Sequence, residues 1–97
     1  MADDNKLALR TLTSTMEEID IRYMEADVAD KLAMKDELDE AFLAFSRARL
    51  RLLQNRVLCN SSCLQKIKEI RQEVKDAANS QQLIKGIIRL VGFLTPL

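Results

Sequence analysis

No glycine or proline occurs in this chain before Gly86, and only Gly86, Gly92 and Pro96 come after. A fold made of strands must reverse direction at turns, and turns draw on the positive φ of Gly and the fixed φ of Pro. The first 85 residues offer neither. They are rich instead in Leu, Ala, Lys, Arg, Glu and Met, the side chains that lose least on entering a helix. The pattern predicts an all-α fold. A chain of 97 residues suits one domain with one core, and 47% apolar against 31% charged side chains is globular. The expected architecture is an antiparallel three- or four-helix bundle, a single domain over 1–97, with coiled-coil-like seams.

The seams give the approximate elements. Leu9, Leu12, Met16, Ile19, Tyr23 and Ala26 alternate three and four apart, which lays one apolar stripe along a helix over about 4–28. Two overlapping capping boxes, Ser14 with Glu17 and Thr15 with Glu18, offer a later start, and the threonines of "TLTST" lower helix propensity there. A second stripe of Ile21, Met24 and Val28 continues at the same period through Lys31 and Lys35 to Leu38, Phe42 and Phe45. Either one long helix runs to about 58, or the chain turns near "ADVADK" with Asp27 or Asp30 as the next N-cap. The first seam reaches Asp30 and Glu37 if extended, which favours the turn and a second helix over about 30–58.

That second helix is two-sided. Leu38, Ala41, Phe45, Ala48 and Leu52 form one seam, while Leu43, Ser46, Leu50, Leu53 and Val57 form another. Such a helix requires neighbours on two sides, inside a bundle or between two chains. Within "CNSSC", Asn60 is the expected C-terminal cap, and Ser62 with Gln65 opens a third helix over about 62–78. Its seam is Leu64, Ile67, Ile70, Val74 and Ala77. Asn79 or Ser80 then caps a fourth helix over about 80–94, which Pro96 stops.

Charge is unevenly placed. Residues 1–40 hold twelve acidic and five basic side chains, a net of −7; residues 41–97 hold three acidic and ten basic, a net of +7. The two halves are expected to attract each other within the molecule. The first ten residues are polar, with no apolar run of the kind a secretory leader carries. That points to the cytoplasm, where Cys59 and Cys63 are expected as reduced thiols packed at a helix corner. A bridge across the turn and half of a zinc site shared by two chains are the competing roles for this pair.

The chain lacks His, the commonest general base, and has no Gly-rich phosphate loop. Its carboxylates sit on polar helix faces, so neither catalysis nor a cofactor or metal is expected. The final stretch "SQQLIKGIIRLVGFLTPL" is too short and too charged to span a bilayer. Its wheel gathers Leu83, Ile84, Ile87, Ile88, Leu90, Val91 and Leu94 on one side, with Lys85, Gly86 and Arg89 opposite. This face is expected to turn into the protein, with Gly86 and Gly92 allowing close backbone approach. The terminal "TPL" also fits the loose carboxylate pattern read by strand-adding domains, a match that chance supplies often.

These features predict a protein–protein interaction module, an adaptor, chaperone-like or regulatory protein that also binds itself. Its anchors are expected to be Phe42, Phe45, Leu50, Leu53, Ile87, Ile88 and Val91, buried against a neighbour. Arg47, Arg51, Lys85 and Arg89 are the contacts for an anionic partner. The alternatives are a membrane surface bound through Lys85, Arg89 and the tail's apolar face, and nucleic acid bound at "SRARLRLLQNR". The second is disfavoured because the arginines are divided between faces and no aromatic residue follows them to stack on bases.

Overall fold

The computed structural model describes residues 3–97, which form four helices with no strand among them. Helix α1 covers Asp3–Glu25, α2 Val28–Leu53, α3 Ser61–Asp76 and α4 Ser80–Leu94. The first half is therefore a hairpin. Asp27 has extended backbone, and its carboxylate accepts from the Asp30 amide at 2.8 Å, capping α2. Helix α1 runs unbroken through "TLTST", and neither capping box there starts a helix. Thr15 is fully buried, and its hydroxyl donates to the Thr11 carbonyl at 2.8 Å; Thr11 does the same to Leu7 at 2.9 Å. The β-branched residues are thus satisfied within the helix.

Helix α2 ends at Leu53, short of the expected 58. Asn55 adopts φ 53°, its amide donates to the Leu52 carbonyl, and the Arg56 amide donates to that of Arg51 at 2.9 Å. This paired return of amides onto the last turn is a Schellman stop, and Asn is one of the few residues that accept its left-handed position. Asn60, expected to end α2, instead caps the start of α3, its side chain accepting from the Cys63 amide at 2.9 Å. Asn79 caps α4 in the same way, through the Gln82 amide.

Side-chain latches show how the helices lie. Helix α1 packs on α2 and α3, and α4 packs on the same two, so α1 and α4 face each other across the diagonal. At one end Asn5 of α1 reaches the end of α2, which makes that pair antiparallel. At the other end Arg22 donates to the carbonyls of Val74 and Ala77 at the close of α3, at 3.3 and 2.5 Å, so α1 and α3 run parallel. Ser80 donates to Asp30 at 2.9 Å where α4 and α2 both begin. The segment 54–60 thus carries the chain across the bundle's diagonal. The result measures 41 × 22 × 18 Å.

One seam from each helix fills the centre. Leu12, Met16 and Ile19 meet Met34, Leu38, Ala41 and Leu52 of α2, and all of Leu64, Ile67, Ile70, Val74 and Ala77 are buried. Leu83, Ile87, Leu90 and Leu94 of α4 complete the core, so the tail turns inwards as expected. Gly86 lies against α3, where an added methyl carbon would stand 3.2 Å from Val74 Cγ2. Gly92 does not share that role, because nothing lies within 4 Å of a methyl group placed on it.

Asn5 was absent from the expected core, yet it is fully buried. Its amide nitrogen donates to the Leu52 and Val57 carbonyls and to the Asn55 side chain, at 3.1, 2.9 and 3.2 Å. Its oxygen accepts from the Cys59 amide at 2.9 Å. One side chain thereby satisfies the Val57 carbonyl and the Cys59 amide of the crossover and ties both to the end of α2. The two cysteines are bridged to each other, contrary to the expected thiols, and with both sulfurs so engaged no shared zinc site forms. The tight turn into α3 brings their Cα atoms to 5.2 Å, inside the range a bridge requires. Cys59 is buried at the corner and Cys63 half-buried.

Candidate functional site

The second seam of α2 finds no neighbour in the bundle. Each residue advances about 100° around a helix, so Leu43 and Leu50 fall roughly opposite Ala41, Ala48 and Leu52, and Leu53 lies about 120° from that seam. The core accordingly closes over Ala41, Ala48 and Leu52, while Leu43 and Leu50 remain 53% and 54% exposed and Leu53 nearly as much. Phe42 and Leu32 add to the exposed apolar surface of the same helix. The need for neighbours on two sides is met on one. Ile21, Met24 and Val28, the second stripe of the hairpin, are also solvent-exposed around the α1–α2 turn.

The expected anchors therefore separate into two groups. Ile87 is buried, while Phe45 and Val91 are half-buried against the core. Those three hold the monomer together. Phe42, Leu50, Leu53 and Ile88 are exposed, so within this chain no neighbour covers them. The reason is geometric: a corner helix of a four-helix bundle offers only about half its circumference to its two neighbours.

Beside the exposed seam runs a cleft of about 350 Å³ between α2 and α4. Glu40, Leu43, Arg47 and Arg51 line one wall, and Val91, Leu94 and Leu97 the other. Ile88 sits one turn before Val91 on the same edge of α4 and is 53% exposed. Arg51 donates to the Leu97 carbonyl at 2.6 Å, which joins the ends of α2 and α4. Arg89 is held by Glu73 at 2.6 Å and Glu69 at 3.8 Å, on the other side of α4. Lys85 lies near Glu73 and Asp76. The four expected anion contacts are thus divided: Arg47 and Arg51 share the cleft, whereas Lys85 and Arg89 face α3.

No direct ion pair joins the two oppositely charged halves among the described residues. Among the described residues the ion pairs are Lys35 with Asp39, within α2, and Arg89 with Glu69 and Glu73, within the basic half. None joins residues 1–40 to residues 41–97. Glu40 was not among the expected site residues, and Leu43 appeared only as a seam position. The signal for both was the reversal of charge inside α2, visible in "KDELDE" followed by "RARLR".

No group of three or more His, Cys, Asp or Glu among the described residues is placed to hold a metal ion. None of the helices is long and apolar enough to cross a membrane. The apolar face of α4 that a membrane surface would need is spent on the core, leaving Ile88 as its exposed remnant. No protein-family model, curated protein or solved structure matches the chain.

Proposed function

We propose that this chain is a non-enzymatic protein–protein interaction module that works through helix–helix contacts and also binds itself. Its contact face is the outward seam of α2 together with the adjoining edge of α4. The observation that carries this reading is the second apolar seam, Leu43, Leu50 and Leu53, exposed on a helix whose first seam already fills the core. None of those three side chains belongs to the buried core of the monomer. Apolar ridges of this kind are what one helix offers another. The cytoplasm stays a proposal that the bridge between Cys59 and Cys63 counts against, since reducing compartments keep thiols free; free thiols at both positions in freshly lysed cells would support it, and an intact bridge would overturn it.

The test compares the wild type with Leu50→Asp as baits for capture from cell extract, followed by mass spectrometry. The reading expects the variant to keep its helical circular dichroism and lose the proteins retained by the wild type. An identical set of captured proteins would overturn it. Flotation with anionic vesicles addresses the membrane alternative, and the interaction reading expects the protein to stay at the bottom of the gradient.

A further inference from the structure

Resting on that contact face, we propose that its occupant is a second copy of this chain, with the two α2 helices crossing antiparallel about a two-fold axis near Leu43. Charge along α2 selects this partner and this direction. Residues 28–40 carry five acidic and two basic side chains, a net of −3, and residues 41–53 carry Arg47, Arg49 and Arg51 and no acid, a net of +3. A helix that reverses sign at its midpoint is complementary to itself only when turned end for end. Parallel copies would set acid against acid and arginine against arginine.

The helix dipole does not account for this pattern. Its influence is confined to the first and last turns. Asp36, Asp39 and Glu40 lie two or more turns inside α2, and Arg47 lies well before its last turn. Nor do these groups meet opposite charges on another helix of the same molecule, as the ion pairs show. An end-for-end copy supplies them. Setting Glu40 against Arg47 of the second copy puts the axis midway, between Leu43 and Ala44. The two-fold operation then repeats the pair, and a closed dimer follows.

Area decides how much of the surface must join. With Glu40 set against Arg47, residues 34–53 of the two α2 helices overlap, a footprint of about 30 Å by 10 Å, roughly 300 Å². Stable dimers bury about 800 Å² on each partner. The α2 ridge is less than half of that, and the rest comes from the cleft beside it. Glu40, Leu43 and Arg47 are both on the ridge and in the cleft wall. The copy's α2 therefore rests against Val91 and Ile88 as well, and that contact covers the exposed remnant of α4.

Sedimentation equilibrium on the full chain, from about 1 to 200 µM, tests the proposal. The wild type is expected to pass from monomer to dimer across that range. Glu40→Arg alone and Arg47→Glu alone should each raise the dissociation constant at least about tenfold, since symmetry doubles every like-charge contact. The double variant E40R/R47E should return to within about threefold of wild type, because only antiparallel copies exchange these two positions. Leu50→Asp provides an independent disruption on the same face. A wild type that stays monomeric throughout, or single variants that dimerise unchanged, or a double variant no better than the singles, would overturn the antiparallel copy. If a monomeric wild type still loses captured proteins on Leu50→Asp, the copy is refuted and the contact face stands; if nothing is lost, both fail.

Discussion

Replacing Asn5 should damage this protein more than any other single polar change. The side chain is sealed from solvent and serves four partners: the Leu52 and Val57 carbonyls, the Asn55 side chain and the Cys59 amide. Asn5→Leu keeps most of the volume and removes every hydrogen bond. A buried donor or acceptor left unpaired costs about 1–3 kcal/mol. The Cys59 amide and the Val57 carbonyl are the most exposed to that loss, because they belong to the irregular crossover and have no helical partner to return to. Some relaxation of segment 54–60 offsets part of it, so the expected loss is about 3 kcal/mol. For a domain of this size each kcal/mol lowers the melting temperature by about 4–8 °C, giving a fall of about 12–24 °C. Thermal melts followed by circular dichroism measure it directly. Asn5→Asp separates hydrogen bonding from shape, since it keeps the acceptor for Cys59 and sets a second oxygen against the two carbonyls; it should be at least as harmful. A loss below about 1 kcal/mol for both variants would refute the claim that this one side chain holds the crossover.

Three further outcomes follow from the same packing. Ile87→Asp, at a position 1% exposed, should cost at least about 3 kcal/mol and abolish the cooperative melt, whereas Leu50→Asp should leave the dilute monomer within about 1 kcal/mol of wild type. Gly92→Ala, with open space around the added methyl group, should raise stability by about 0.5–1 kcal/mol through helix propensity, while Gly86→Ala must push Val74 aside and should gain nothing or lose; melting temperatures of the pair give the sign. Cys59→Ser combined with Cys63→Ser opens a loop with a sequence separation of only 4, so chain entropy predicts a loss of about 2 kcal/mol in denaturant titration, with α3 still capped by Asn60.

The periodicity of the sequence carried most of the fold, because apolar spacing reports directly which face of a helix meets a neighbour. The α3 seam from Leu64 to Ala77 is buried as its spacing predicts, and Asp27 and Asn79 cap where Asx residues precede apolar runs. Two stops were harder to read. Asn55 and Asn60 have the same chemistry and lie five apart, and only the left-handed backbone at Asn55 distinguishes the end of α2 from the start of α3. Asn5 was invisible because three of its four partners are backbone groups 47 to 54 residues away, and backbone groups leave no pattern in a sequence. The site was legible in a different way. Two seams on α2 were evident from spacing, but a pattern of side chains does not state which seam the monomer uses. The small residues Ala41, Ala44 and Ala48 decide it: they permit close helix packing on the inner side and leave the bulkier Leu43 and Leu50 outside.

Hydroxyl-radical footprinting of the wild type at low and high protein concentration asks the central question most directly, because it reads side-chain burial position by position. If the outer seam of α2 is a contact between copies, Phe42, Leu43 and Leu50 should lose reactivity as concentration rises, while Met24, exposed near the α1–α2 turn, keeps its own. Equal reactivity of Leu43 and Leu50 at both concentrations would contradict it.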